Sequence, residues 1–103
     1  MAAGRLVTVA RVDEIPSGTA RIVNAGDREL ALFRVDGEFY ATQSQCLHLE
    51  GPIGDGELDE HVVTCPWHGW QYDVRTGENE FDRALRLETF EVVVEGDDVK
   101  VVL

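Results

Sequence analysis

Two short cysteine and histidine motifs are the residues best suited to chemistry in this chain of 103 residues. Cys46-Leu47-His48 is followed, after sixteen intervening residues, by Cys65-Pro66-Trp67-His68. Thiolate sulfur and imidazole nitrogen bind both zinc and iron-sulfur centres. A set of four completes either a tetrahedral zinc site or the terminal positions of a two-iron cluster. The sequence therefore predicts a metal centre held by Cys46, His48, Cys65 and His68.

The pairing of ligand types within each motif separates the two kinds of centre. Structural zinc sites commonly present like pairs, such as C-x2-C and H-x3-5-H, whereas each motif here supplies one sulfur and one nitrogen. If one iron takes both sulfurs and the other takes both nitrogens, each loop has to reach both irons. The mixed pairs favour a two-iron cluster, and a zinc-binding interaction module stays as an alternative.

The sequence from the first motif onward resembles the Rieske-type [2Fe-2S] ferredoxins. Three segments carry the resemblance: Cys46-x-His48, Cys65-Pro66-Trp67-His68-Gly69-Trp70-x-Tyr72-Asp73, and Thr76-Gly77. It implies one Rieske cluster per chain and no catalytic residue. It also implies an all-β fold, an antiparallel β-sandwich with a cluster-binding subdomain of two loops.

Short runs of branched and aromatic residues recur along the chain and are typical of strands. Turns rich in Gly, Asn and Asp separate them, which favours an all-β sandwich or small barrel. Because no linker or repeat divides the chain, we expect a single domain over residues 1–103, with cluster-binding loops within 43–77. The predicted strands are Leu6–Val9, Ala20–Val23, Leu30–Phe33, Phe39–Thr42, Val62–Thr64, Gln71–Val74, Leu87–Val94 and Val99–Leu103.

Three smaller expectations concern particular segments. The run Phe90–Glu95 alternates incompletely, which predicts a strand covered on both faces. A single helical turn is expected near Asp13–Ile15, and either a turn or an extended loop over Phe81–Arg86. The glycines of the motif region are expected to bring backbone close to the cluster; they are Gly51, Gly54, Gly56 and Gly69.

Charge and hydropathy exclude several classes of function. Acidic residues outnumber basic ones by 20 to 9, and the formal net charge of -11 argues against a nucleic-acid partner and for a basic protein partner. No apolar run approaches the roughly 20 residues that span a bilayer, and no secretory signal is recognisable. We therefore expect a cytoplasmic, monomeric protein without a membrane partner.

The resemblance implies a function in electron transfer rather than catalysis. A ferredoxin of this kind accepts one electron from a flavin-dependent reductase and passes it to a terminal oxygenase, as in ring-hydroxylating dioxygenase systems. The chain is too short to add the mononuclear iron domain of a Rieske oxygenase. The small subunit of an assimilatory nitrite reductase, which shares the resemblance, is the alternative within the same fold.

The surroundings of the motifs favour a low reduction potential. Residues 35–74 contain eight acids and neither Lys nor Arg, so the added electron meets like charge. High-potential Rieske proteins resemble this chain but carry a disulfide where Gly51 and Trp67 stand, and a serine in place of Trp70. Tyr72 matches a family tyrosine that donates to a ligand sulfur. The expected potential lies in the lower part of the Rieske range, whose bottom is roughly -150 mV.

Overall fold

The computed structural model describes residues 5–47, 51–67 and 69–103, so the predicted ligands His48 and His68 lie outside the described residues. Within these described residues, ten strands form three antiparallel sheets, which confirms the all-β prediction. The strands are β1 (Leu6–Arg11), β2 (Thr19–Ala25), β3 (Arg28–Val35), β4 (Glu38–Gln43), β5 (Glu57–Asp59), β6 (Val62–Thr64), β7 (Gln71–Asp73), β8 (Thr89–Phe90), β9 (Val92–Glu95) and β10 (Asp98–Val102).

Two of the sheets make up a part of the molecule that we call the base. One sheet has the strand order β1-β10-β9 and the other has the order β2-β3-β4-β8. Strands β2 and β3 pair over seven positions, from Thr19 opposite Arg34 to Ala25 opposite Arg28. The turn between them contains Gly26 at φ 67°, a left-handed conformation that glycine adopts without steric cost. The base therefore consists of long hairpins closed by short turns.

The third sheet, β5-β6-β7, lies in the segment 44–88 between β4 and β8, and we call the described part of this segment the tip. Its strands have only three residues each, and they pair in register, Leu58 opposite Val63 and Val63 opposite Tyr72. A 3-10 turn, Ile53–Asp55, precedes β5. Gly54 of this turn packs so closely on Ile22 of β2 that a Cβ atom would overlap it, which seats the tip on the base.

Strand β3 is an inner strand of the four-stranded sheet and is buried on both faces. Leu30 and Leu32 point into a core shared with β1, β2 and β10, whereas Ala31, Phe33 and Val35 point into the core of the tip. Alternate residues of a strand point to opposite faces, so β3 contributes to both cores. The tip and the β1-β10-β9 sheet therefore lie on opposite sides of the four-stranded sheet.

The prediction for Phe90–Glu95 is wrong in its burial. This run splits at Glu91 into β8 of one sheet and β9 of the other, and β9 is an edge strand with exposed Val94 and Glu95. The run alternates incompletely because the chain changes sheet there, not because both faces are covered.

The helical turn predicted near Asp13 is present as Val12–Glu14, and Phe81–Arg86 is an irregular loop. Strand β5 was not predicted.

Within the described residues, no helix has the length and apolar character needed to cross a membrane.

Candidate metal centre

Cys46 begins the first of two loops that close in the same way. Its backbone N–H donates to the Gly51 carbonyl at 2.8 Å, and the N–H of Ile53 donates to the Ser44 carbonyl at 2.9 Å. These bonds bring the two ends of the loop together directly after β4. The Cys46 side chain is only 2% exposed, while the neighbouring Leu47 is 41% exposed. The first loop therefore buries the thiol of Cys46 and exposes the side chain of Leu47.

Cys65 begins the second loop, between β6 and β7. Its N–H donates to the Trp70 carbonyl at 2.8 Å, and the N–H of Gly69 donates back to the Cys65 carbonyl at 3.0 Å. Gly69 has a φ of 78°, in the left-handed region where a residue with a side chain is strained. The Cys65 side chain is 1% exposed. In both loops, therefore, the cysteine amide bonds to the carbonyl five residues further along the chain.

Gly51 joins the two loops. A Cβ atom added there would lie 2.6 Å from Sγ of Cys65 and 3.3 Å from Cβ of Trp67. No side chain fits into that space without displacing the second loop, because real Cβ atoms do not approach other atoms so closely. The backbone that closes the first loop thus packs directly against the thiol of the second. This contact brings the two motifs of the sequence to one place.

Tyr72 of β7 connects the second loop to the thiol of the first. Its hydroxyl oxygen lies 3.0 Å from Sγ of Cys46, and its side chain is completely buried. Burial, followed by the hydrogen bond with Cys46, raises the pKa of the Tyr72 hydroxyl above its ordinary value. The hydroxyl therefore keeps its proton and can donate it to a thiolate. The structure thus contains the expected contact between Tyr72 and a candidate ligand sulfur, and the direction of its hydrogen bond stays a prediction.

The donor set fits an iron-sulfur cluster. Both cysteines lie in the described part of the chain, both are buried, and they are not joined in a disulfide. Position 51, between the two loops, is a glycine and therefore places no side chain there. The hydroxyl of Tyr72 lies beside the sulfur of Cys46. Thiolates in such surroundings suit a cluster that accepts hydrogen bonds at its sulfurs.

Comparison with known proteins identifies the family. Residues 5–91 match the family model described as the Rieske [2Fe-2S] domain. The chain is 41% identical over 92 residues to the biphenyl dioxygenase ferredoxin subunit of Pseudomonas sp. (strain KKS102), covering 87% of this chain and 84% of that protein. The chain belongs to the Rieske family. A Rieske-type [2Fe-2S] cluster is accordingly its cofactor, as the sequence predicted.

Two further likenesses place it among the ferredoxins of this family. It is 38% identical over 94 residues to the ferredoxin component of the naphthalene 1,2-dioxygenase system of Pseudomonas aeruginosa, covering 85% of this chain and 86% of that protein. One chain of the complex of reduced oxygenase and oxidized ferredoxin in carbazole 1,9a-dioxygenase has a TM-score of 0.85 and 35% identity; the match covers 94% of this chain and 92% of that chain. The expectation of an electron carrier rather than a catalytic enzyme is confirmed.

The four glycines expected near the cluster have different neighbours, and their approach to the cluster itself stays a prediction. Gly51 brings backbone against the Rieske ligand candidate Cys65, but Gly54 approaches β2 and Gly56 approaches the Thr64 carbonyl. Gly69 has open space around it and serves the loop through its backbone conformation. Spacing alone does not distinguish these roles, because the neighbours of each glycine come from distant parts of the chain.

The two tryptophans of the second motif differ in their surroundings. Trp67 is 61% exposed and covers one side of Gly51. Trp70 is half-buried, packs on the tip core, and meets the ring of Phe81 edge to face at 5.1 Å. Trp70 is therefore a core residue of the tip, whereas Trp67 presents an apolar surface beside the Rieske site.

Acidic side chains surround the tip on its outside. Asp55 and Glu57 are exposed and line a cleft of about 520 Å³ together with Pro66 and Trp67. On β7, Asp73 bonds to Arg75 at 2.8 Å, and this hydrogen bond lowers the pKa of the Asp73 carboxyl. His61 is half-buried, with its ring edge-on to that of Tyr40 at 5.8 Å between centroids. The outer surface of the tip therefore carries negative charge beside apolar groups.

Asn79 is a site residue that the sequence did not single out. It is completely buried, and its carbonyl oxygen accepts from the backbone N–H groups of Phe81 and Asp82. Its side chain also lowers the pKa of Tyr72, opposing the effect of burial. An asparagine in a polar loop normally indicates a turn, so only its burial beside Tyr72 reveals a connection to the site.

Proposed function

We propose that this chain accepts one electron from a flavin-dependent reductase and delivers it to a terminal oxygenase. The bound cluster supplies a reversible one-electron couple, and the chain supplies its ligands, its hydrogen bonds and a docking face. The ligands in this proposal are Cys46, His48, Cys65 and His68. The likeness to ferredoxins of biphenyl and naphthalene dioxygenase systems, and to a ferredoxin–oxygenase complex, supports the oxygenase as partner, and the reductase is part of the proposal.

The observation that carries this proposal is the pair of matching loops. Cys46 and Cys65 each bond through their amide to a carbonyl five residues ahead, and Gly51 packs the first loop on the sulfur of the second. Each loop also carries one histidine in its sequence. The sequence places His48 two residues after Cys46, and His68 three residues after Cys65. Two mixed pairs on two adjoining loops provide the ligands that a Rieske centre requires.

The docking face lies on the tip around the two loops. Leu47 and Trp67 expose apolar surface there, and Asp55 and Glu57 add negative charge at its margin. An apolar centre with a charged rim is the usual composition of a transient protein interface. Its negative sign favours a partner with a basic surface, whose association it accelerates at low salt.

Electron delivery to a Rieske oxygenase tests this face directly. The chain, reduced beforehand, is mixed with the oxygenase in a stopped-flow instrument, and the rate is followed against ionic strength. We expect the second-order rate to fall as salt rises. We also expect an Asp55→Asn/Glu57→Gln double variant to be slower at low salt and less sensitive to salt.

A matched control removes the same charge from the base. Glu95→Gln and Asp97→Asn change two exposed acids near the β9–β10 turn, on the sheet that lies away from the tip. This variant should keep the rate of the unmodified chain. Equal slowing by both double variants would show that net charge acts without a docking face, and no transfer at any salt concentration would contradict the proposed function.

Further parts of the proposal concern the state of the chain. We propose that residues 1–103 act as one domain with cluster-binding loops within 43–77, as a monomer in the cytoplasm. The reduction potential is proposed to lie in the lower part of the Rieske range, because exposed acids surround the tip. Analytical ultracentrifugation tests the monomeric state, and voltammetry measures the reduction potential.

A further inference from the structure

Phe81 is the most exposed large apolar side chain among the residues that the structure describes. It is 67% exposed, compared with 61% for Trp67, and it lies in the irregular loop 79–85 of the tip. A single exposed apolar residue is common on protein surfaces and needs no explanation of its own. Phe81 differs from such a residue because both its backbone and its ring are held in place.

A buried side chain fixes the backbone of this loop. Asn79 is completely buried, and its Oδ1 accepts from the N–H of Phe81 at 3.0 Å and from the N–H of Asp82 at 3.1 Å. The N–H of Glu80 donates to the Gln71 carbonyl of β7 at 2.8 Å, which attaches the loop to the sheet of the tip. These bonds hold the Phe81 backbone in one place although the loop contains no proline.

The ring of Phe81 is held by a second aromatic residue. It meets the ring of Trp70 edge to face, with centroids 5.1 Å apart and an interplanar angle of 88°, which is a favoured geometry for aromatic pairs. Trp70 packs on the tip core, and its carbonyl accepts from the N–H of Cys65. The exposed ring therefore has a fixed position relative to the loop that carries a candidate cluster ligand.

A rigid, exposed aromatic residue is well suited to anchor a protein partner. Burying its ring stabilises a complex, and little entropy is lost because the side chain and its loop are already ordered. Among the described residues, three exposed large apolar side chains lie on the tip and two on the base, namely Leu47, Trp67 and Phe81, and Leu6 and Val94. Through Trp70, Phe81 is continuous with the second loop of the docking face.

The neighbours of Phe81 in the chain continue the negative margin of this face. Glu80 and Asp82 are both exposed, and they flank Phe81 on its two sides. Asp55 and Glu57 provide the same charge beside Trp67. An apolar ring between carboxylates fits a partner surface that has an apolar pocket with a basic rim.

We propose that Phe81 is an apolar anchor by which the chain docks on the terminal oxygenase, and that it determines the affinity of this complex. The inference rests on the proposed function, in which the oxygenase binds the tip. It assigns different tasks to two parts of the face: Asp55 and Glu57 attract the partner over a distance, and Phe81 holds it at contact. Ionic strength separates these tasks, because salt screens charges but does not screen apolar burial.

Electron delivery at two ionic strengths tests the anchor. The chain is reduced, freed of reductant, and mixed in a stopped-flow instrument with increasing concentrations of the terminal oxygenase of a biphenyl dioxygenase system. We expect Phe81→Ala to raise the half-saturating oxygenase concentration about tenfold at both low and high salt, as truncation of an interface anchor does. The transfer rate at saturation and the reduction potential should equal those of the unmodified chain.

Two further variants serve as matched comparisons. Phe81→Tyr keeps the ring and its contact with Trp70, so it should keep most of the affinity. Leu6→Ala removes an exposed apolar side chain from β1 of the base and should leave the half-saturating concentration unchanged. The Asp55→Asn/Glu57→Gln variant should differ from Phe81→Ala, because its effect should disappear at high salt.

An unchanged half-saturating concentration in Phe81→Ala would overturn the proposal, and so would an effect that disappears at high salt. Loss of the cluster, or slower transfer at saturation alone, would also overturn it, because Phe81 would then act on the cluster itself. Slower reduction by a flavin-dependent reductase, with unchanged oxygenase binding, would assign Phe81 to the other partner and contradict the proposal. A failure of the proposed function would appear differently, as absent electron delivery by the unmodified chain.

Discussion

The base and the tip bury different kinds of residues. The buried residues of the base core are all aliphatic, with Leu30, Leu32 and Val99 completely buried. The tip core also contains aliphatic residues, but it includes Cys46, Cys65 and Tyr72. The thiols and the hydroxyl need partners in an apolar interior. Hydrophobic burial alone can therefore stabilise the base. The tip core also contains two thiols, and binding these thiols to a metal would satisfy them.

Strand length also distinguishes the base from the tip. In the base, β2 and β3 pair over seven positions, whereas no tip strand exceeds three residues. Short strands contribute few ladder hydrogen bonds and little buried apolar area of their own. Ligand bonds to both loops would add the missing stabilisation, because metal-binding free energy also stabilises the folded loops. The comparison thus predicts that loss of the metal affects the tip and spares the base.

Cys65→Ser should have the largest effect on the tip. If it left the tip unchanged, the proposed difference between tip and base would be wrong. We expect the cluster to be lost, with iron falling from two atoms per chain to almost none, because serine replaces a soft thiolate ligand. Hydrogen exchange should then accelerate in β5, β6 and β7 while β2 and β3 stay protected. Ser44→Ala, beside the first loop, is the control and should keep its iron. A Cys65→Ser protein with a full-strength cluster spectrum would show that Cys65 is not a ligand.

Leu32→Ala and Phe33→Ala sharpen the comparison with two neighbouring residues of β3. Leu32 points into the base core and Phe33 into the tip core. Leu32→Ala should lower the free energy of unfolding by about 2–5 kcal/mol and leave the reduction potential unchanged. Phe33→Ala should cost a similar amount and also lower cluster occupancy. Chemical denaturation measures the free energy of unfolding of each variant, and voltammetry measures its reduction potential. A changed potential in Leu32→Ala would mean that the base core also influences the cluster.

Gly51→Ala tests the contact between the two loops. Its Cβ atom would come within 2.6 Å of Sγ of Cys65, so the loops must separate, at a cost of about 1–3 kcal/mol. We expect lower iron content and a shifted visible circular dichroism spectrum. Gly96→Ala in the base is the control: it is strained by its φ of 60° but meets no neighbouring atom. Iron retention equal to that of Gly96→Ala would refute a tight contact at Gly51.

The base was easier to predict from the sequence than the tip. The continuous apolar run Leu30–Phe33 indicates a strand buried on both faces, and the alternation of Val99 and Val101 around Lys100 indicates burial on one face, which has a period of two. Strand β5, Glu57–Asp59, carries a single apolar residue and depends on pairing with β6, so its own sequence gives no signal. The candidate ligands were visible as a motif. Asn79 and the contact of Gly51 with Cys65 were not, since they arise only when distant segments pack together.

The smallest expected effect concerns an ion pair at the edge of the tip. The hydrogen bond from Arg75 holds the pKa of Asp73 below its ordinary value, so this contact stabilises the folded state above about pH 4 and is lost as the pH falls through the lowered pKa. Arg75→Gln should lower the melting temperature slightly at pH 7, with a difference that shrinks toward pH 3. Arg21→Gln, at an exposed arginine of β2, is the control. A difference that stays constant with pH would contradict this account.

The most direct test of the central claim is an electron paramagnetic resonance spectrum of the dithionite-reduced protein, with iron and zinc analysis of the same sample. The account predicts two irons per chain and an averaged g value clearly below that of an all-cysteine two-iron cluster, because two histidines ligate one iron. A silent spectrum with one zinc per chain would contradict it and would make the two loops a structural metal site.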